Sequence, residues 1–160
     1  MTRVKGFEPF FTAQSKLLIL GSFPSVKSRA QNFYYGNPQN AFWRILSNFF
    51  KESEPKTVED KKSFLDLHNI ALWDIVTECE IVGSQDATIK DYRVADLNLL
   101  LKNCNLRLII LNGGTAEKIF LKKYAEIEVP FIKLPSTSPA NARRKDEEWY
   151  NALSRIFSGN

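Results

Sequence analysis

Short apolar runs along the chain end abruptly in small, polar and aromatic residues. Leu17-Leu18-Ile19-Leu20 runs into Gly21-Ser22-Phe23-Pro24-Ser25, and Leu108-Ile109-Ile110-Leu111 into Asn112-Gly113-Gly114-Thr115. Phe131-Ile132-Lys133-Leu134 likewise gives way to Pro135-Ser136-Thr137-Ser138-Pro139-Ala140-Asn141. Runs of this length bounded by turn formers read as strands, and the strand candidates are residues 16–20, 70–74, 106–112 and 129–134. Helical spacing fills the intervals. Phe42, Ile45, Leu46, Phe49 and Phe50 follow Asn40, which is placed to cap them. Residues 57–68 open on Thr57 and carry Glu59 and Asp60, where the helix dipole favours acids. Leu97, Leu100 and Leu101 form another stripe, as do Ile119, Phe120 and Tyr124. A last helix from about Asn141 is expected to bury Trp149, Leu153 and Ile156 and to expose Arg143, Arg144 and Lys145. Residues 75–93 keep no regular period and are expected to form a long surface loop. Strands alternating with helices predict a parallel α/β sheet covered on both faces. Ligands of such sheets bind at the carboxyl ends of the strands, so the polar loops are expected to converge on one site.

Length and composition narrow the class without naming a chemistry. A chain of 160 residues with 44% hydrophobic and 25% charged residues is expected to form one domain, 1–160, with a substantial core. No apolar stretch has the length of a membrane span, and Met1-Thr2-Arg3-Val4-Lys5 lacks the core of a signal peptide. A cytoplasmic protein without a membrane partner is the expectation, and nothing in the sequence demands a dimer. Cys79 and Cys104 have no metal-ligand spacing and are expected to be reduced thiols. The single histidine, His68, excludes a histidine-rich zinc site and sits where a helix should end. A net charge of +4 and a pI near 9.1 lean toward a polyanionic partner.

Three segments carry candidate chemistry. Gly21 to Ser25 is a tight turn leaving a strand, with backbone N–H groups free to meet a phosphate or a base carbonyl. It lacks the Gly-x4-Gly-Lys pattern of a nucleotide phosphate loop, and on its own a plain strand-to-loop turn is the better reading. Ser136, Thr137 and Ser138 stand ahead of the basic start of the expected last helix, a set suited either to an anion or to ordinary capping. Tyr34-Tyr35-Gly36-Asn37-Pro38-Gln39-Asn40 combines rings that could stack on a base with an amide, Asn40, that could hold water, cap the next helix, or do both. Phe42 and Trp43 read as core. Asp74 and Asp86 are carboxylates within reach of these loops, for which capping or solvation is the simpler role.

Taken in order, these pieces resemble the uracil-DNA glycosylase superfamily, most closely its hypoxanthine-DNA (deoxyinosine) glycosylase branch. The matching segments are Gly21-Ser22-Phe23-Pro24-Ser25, Tyr34-Tyr35 with Asn40-Ala41-Phe42-Trp43, Ala71-Leu72-Trp73-Asp74, Leu111-Asn112-Gly113, and Pro135-Ser136-Thr137-Ser138-Pro139, spread over residues 15–157. The resemblance implies a three-layer α/β/α sandwich with a four-stranded parallel sheet. It also implies hydrolysis of the N-glycosidic bond of deaminated bases in DNA, hypoxanthine and uracil among them, without a cofactor. Asn40 matches the asparagine implicated in catalysis. Gly21, Ser22 and Phe23 match the loop lining the base pocket, Tyr35 the ring over the extruded base, and Asp74 the asparagine that reads uracil in relatives; Asn112 joins them as a base-binding candidate. Ser136, Thr137, Ser138 and Pro139 match the loop that presses on the minor groove, with Arg143 and Arg144 beside it as candidate DNA contacts. The chain departs from many relatives at Phe23, where they carry a water-positioning Asp or Asn, and at Leu134, where uracil enzymes carry a histidine. A non-catalytic nucleic-acid-binding module on the same scaffold is the alternative that Phe23 favours. A small nucleotide- or phosphate-binding enzyme is a third, weakened by the missing phosphate loop.

Overall fold

A computed structural model describes residues 3–141 and 145–157. The chain opens with a short strand β1 (Arg3–Lys5), then β2 (Leu17–Gly21), α1 (Val26–Gln31), α2 (Phe42–Phe50) and α3 (Val58–His68). Strands β3 (Ile70–Asp74) and β4 (Val76–Glu80) follow, then a 3₁₀ turn (Asp86–Thr88) and β5 (Lys90–Val94). The second half comprises α4 (Asn98–Asn103), β6 (Leu108–Asn112), α5 (Gly114–Tyr124), β7 (Phe131–Leu134), a 3₁₀ turn (Pro139–Asn141) and α6 (Glu147–Phe157).

Four strands form a parallel sheet in the order β3-β2-β6-β7. Every residue of β2, β3 and β6 is buried, which is why these strands read as unbroken apolar runs. Leu17 and Ile19 point into a core built with α2, α3 and α6, where Phe42, Trp43, Phe64 and Trp149 pack. Leu18 and Leu20 point the other way, onto Leu100 of α4 and Ala116, Ile119 and Phe120 of α5. The expected α/β/α sandwich is thus the observed one. Register puts Gly21 beside Asp74, Leu20 beside Leu111, and Asn112 beside Leu134. The carboxyl ends of the strands therefore finish at one level.

Local signals set the helix limits. The Thr57 hydroxyl accepts from the Asp60 N–H at 3.0 Å to open α3, which closes on Asn69 in the left-handed region. Asn40, expected as the cap of α2, stands one residue ahead of the N-cap, Ala41, and its side chain accepts from the Phe42 N–H at 2.9 Å.

Two expectations fail. Residues 75–93 are not a loop: β4 and β5 pair antiparallel, with β1 on the far side of β4, in a second three-stranded sheet. Charged residues alternate poorly with apolar ones there, and the β4–β5 register shifts twice, which breaks the period that would betray the strands. The last helix begins at Glu147, not near Asn141, and its first turn is acidic. Asn141 instead donates its amide back to the Ser136 carbonyl at 3.0 Å, closing the preceding 3₁₀ turn. Lys145 precedes α6 and is exposed, while Arg143 and Arg144 lie outside the described residues.

Candidate active site

The loops leaving β2, β3, β6 and β7 surround a cavity of about 150 Å³ at the carboxyl end of the parallel sheet. Apolar cavities engineered to roughly that volume take up a benzene ring, so the space suits one flat heterocycle. Gly21, Ser22, Tyr35, Asn40, Asp74 and Asp86 are among the residues that line it.

The approach of Asp74 and Tyr35 to Gly21 depends on a missing side chain. A Cβ on Gly21 would lie 2.5 Å from Asp74 Oδ1 and 3.0 Å from the Tyr35 hydroxyl, so only glycine lets the carboxyl and the phenol share this space. Asp74 is 4% exposed, and its Oδ2 is buried with no hydrogen-bond partner among the described residues. Burial pushes its acid up to about 8, with the charge of Asp86 adding to the shift. Asp86 reaches the pocket from the 3₁₀ turn between β4 and β5, where the Ser22 hydroxyl donates to it at 2.8 Å. Its acid is also raised by burial, and the Ser22 bond works against that rise.

Tyr35 has φ +54°, a left-handed conformation that a bulky residue adopts only when its surroundings impose it. One face of its ring stacks on Phe42, with centroids 4.0 Å apart and planes 19° apart. Its hydroxyl accepts from Asn112 Nδ2 at 3.3 Å. Burial raises the phenol strongly and the Asp74 charge adds to this, against the Asn112 bond.

The sequence candidates divide between pocket and scaffold. Gly21, Ser22, Phe23, Tyr35, Asn40, Asp74 and Asn112 all border the cavity. Tyr34 does not offer a stacking face: it is 3% exposed, packed in the core, and donates its hydroxyl to the Glu8 carbonyl at 2.7 Å. Phe23 is likewise mostly covered, with the Arg29 guanidinium over its ring. Asn112 is spent internally, donating to Thr137 Oγ1 at 3.0 Å as well as to Tyr35 and accepting from the Thr137 N–H at 3.1 Å. Thr137 is 1% exposed, and its carbonyl accepts from the Ala41 N–H, so this expected DNA contact is a buried strut between the last loop and α2. Ser136, Ser138 and Pro139 stay half-buried at the rim. Gly113, at φ +98°, allows the turn into α5, where a Cβ would meet Ser136 at 3.0 Å.

Sequence patterning alone missed Ser84 and Asn37, which also border the cavity. Ser84 arrives on the β4–β5 connection, whose strand signal is weak, and accepts from the Val26 N–H at 2.8 Å. The Asn37 side chain accepts from the Gln39 N–H at 2.9 Å, an Asx turn that any loop asparagine could make.

An open parallel sheet with a ring-sized polar pocket at its carboxyl end defines an α/β domain whose cleft lies where such sheets bind ligands. Comparison with known proteins narrows the class. The family model of the uracil DNA glycosylase superfamily matches residues 8–155. The hypoxanthine DNA glycosylase of Methanosarcina acetivorans is 36% identical over 153 residues, covering 91% of this chain and 94% of that protein. The hypoxanthine DNA glycosylase of Methanosarcina barkeri is 31% identical over 159 residues, covering 94% and 98%. A solution NMR structure of a candidate uracil DNA glycosylase from Methanosarcina acetivorans superposes with a TM-score of 0.85 at 32% identity, covering 99% of this chain and all of that one. The chain belongs to the uracil DNA glycosylase superfamily.

Proposed function

We propose that the protein is a monofunctional DNA glycosylase that hydrolyses the N-glycosidic bond of deaminated bases in DNA, hypoxanthine first and uracil beside it. The observation that carries this is the convergence of Asn40, Tyr35 and Asp74 on one ring-sized cavity, in a chain 36% identical to a hypoxanthine DNA glycosylase.

The reacting bond is inaccessible inside a duplex, so the nucleotide must leave the stack. Tyr35, backed by Phe42 on one face, offers the other face to the extruded base. Asn40 Oδ1 holds the Phe42 N–H and keeps a second lone pair, so the capping bond fixes the amide that also holds water. That water adds its oxygen to the anomeric carbon while the glycosidic electron pair leaves with the base, and the proton the water gives up ends on the released base. An amide is no base at neutral pH, so the rate comes from positioning and electrostatics, with the DNA phosphates stabilising positive charge on the sugar. No lysine borders the cavity among the described residues, in keeping with hydrolysis rather than Schiff-base strand cleavage. DNA is the partner, and a cytoplasmic monomer is the working unit.

Phe23 favours a second reading, a binding module without catalysis, because a covered phenyl ring holds no water. A labelled duplex carrying one deoxyinosine separates the two. The glycosylase leaves alkali-labile sites there and no strand breaks before alkali, with activity unchanged in EDTA; the described residues offer no group of three His, Cys, Asp or Glu able to hold a metal. Binding without alkali-labile sites from deoxyinosine or deoxyuridine overturns the proposal.

A further inference from the structure

We infer that Asp86 is a further catalytic residue of this site, its open carboxylate oxygen Oδ1 taking the proton of the water that Asn40 holds. This deepens the glycosylase reading and rests on it.

The connection between β4 and β5 carries Asp86 to the cavity, and its hydrogen bonds hold it there. The Thr88 hydroxyl accepts from the Val82 N–H at 2.8 Å and donates to the Gln85 carbonyl at 2.7 Å, which closes the turn on itself. Ser84 accepts from the Val26 N–H, and the Gly83 carbonyl accepts from Arg29 at 2.9 Å, so the turn is tied to α1. Asp86 Oδ2 accepts from the Ser22 hydroxyl on the loop leaving β2. Oδ1 makes no hydrogen bond among the described residues. It is not sealed off either, because Asp74 Oδ2 is the only side-chain oxygen or nitrogen among them that is both buried and unpaired. Asp86 and Ser22 both line the cavity, so the free oxygen is available to what enters it.

Hydrolysis needs such a group. The Asn40 amide can orient water but cannot take its proton. Of the other ionisable side chains that line the cavity, Tyr34 and Tyr35 keep their protons because burial raises both phenols strongly, and burial raises Asp74 to about 8. Asp86 differs. It is only half-buried, and although burial raises its acid, the Ser22 bond favours the charged form. Of the two neighbouring carboxyls, the less buried and hydrogen-bonded one therefore carries the charge. No Lys, Arg or His borders the cavity among the described residues to neutralise it. Cys79 of β4, a thiol raised by burial, and Arg29 of α1, which lies over Phe23, are the other titratable or charged groups in its surroundings. A carboxylate whose acid is raised toward neutral pH is a stronger base than an ordinary aspartate. As the water oxygen bonds to the anomeric carbon and the glycosidic pair leaves with the base, the water proton passes to Oδ1. From there it goes to the released base anion, and Asp86 ends as it began. Its negative charge also favours the cationic sugar.

The test measures single-turnover release of hypoxanthine from a deoxyinosine duplex between about pH 4.5 and 7.5, with melting recorded on each protein. Asp86→Asn keeps an acceptor for the Ser22 hydroxyl, and so keeps the tether, but cannot take a proton. At pH 7 it is expected to be roughly 10²-fold slower than wild type. Effects of pH on the DNA are shared and cancel in the ratio of the two rates, which is expected to shrink as pH falls and Asp86 takes up its proton. Ser22→Ala keeps the carboxylate and removes the bond that holds its acid down, so its rate is expected to fall at a higher pH than that of wild type. A folded Asp86→Asn protein that stays within about threefold of wild type at pH 7 overturns the assignment, as does one whose rate follows pH as the wild-type rate does. Should Asp86→Asn not fold, a Ser22→Ala protein with an unshifted acid limb overturns it instead. Wild type that excises no deaminated base at any pH overturns the glycosylase reading, and the assignment with it.

Discussion

Asp74 stays protonated in the folded protein up to about pH 8, whereas an unfolded aspartate ionises some four units lower. Between those values the unfolded chain releases a proton that the folded chain keeps. Stability from this group is full below the unfolded value and declines as pH rises toward the folded one. Asp74→Asn removes the linkage, so its advantage over wild type should be larger at pH 8 than at pH 5, growing by up to about 1.4 kcal/mol per pH unit. Urea unfolding at the two pH values checks this; an equal difference at both would place Asp74 in contact with water. Patterning marks Asp74 only as a polar residue ending a strand, for which capping or solvation is the simpler role, and the family resemblance alone marks it as a base-binding candidate. Its burial depends on the absence of a side chain at Gly21, on the neighbouring strand, and no local pattern carries that information. Asn112 is the converse case: its type fits base reading, yet its neighbours consume both ends of the amide.

At the scale of elements, the central strands and α2, α3 and α5 were legible because burial on both sheet faces writes continuous apolar runs and burial on one helix face writes a stripe. The β4–β5 pair was not legible, since one face is solvated and bulges interrupt its period. The start of α6 is not marked in the sequence, because Asn141 is a plausible cap by type while the Trp149, Leu153 stripe that defines the helix begins only later. That helix holds the last loop in place. The Trp149 indole N–H donates to the Pro135 carbonyl at 2.8 Å, and Thr137 two residues on is the strut to Asn112 and α2. Trp149→Phe leaves that carbonyl unpaired and a void beside it, and should cost about 1–3 kcal/mol. Its expected functional signature is weaker DNA binding by anisotropy, with the single-turnover rate at saturating DNA little changed. Unchanged affinity with slowed chemistry would mean that the loop acts on the reacting bond and not on docking.

For the whole molecule, a net charge of +4 and a pocket without cations among the described residues divide the labour: phosphates are met outside the cavity and the base within it. Arg143 and Arg144, beside the last loop in sequence, are the proposed phosphate contacts. Neutralising either should weaken binding across sequences and flatten the salt dependence by about one unit of slope. An unchanged slope assigns them to solvent. The layered sandwich and the location of the site followed from strands alternating with helices, whereas the base chemistry came from five motifs in order and needed the family to interpret them. The most direct measurement is the rate of hypoxanthine release from a deoxyinosine duplex under single-turnover conditions, wild type against Asn40→Ala, with melting recorded on the same samples. Loss of the bond to the Phe42 N–H should cost about 1 kcal/mol. Loss of the held water should slow release by about two orders of magnitude, with most of the DNA affinity retained. A folded Asn40→Ala protein that releases hypoxanthine at nearly the wild-type rate would contradict the account and leave Asn40 as a helix cap alone.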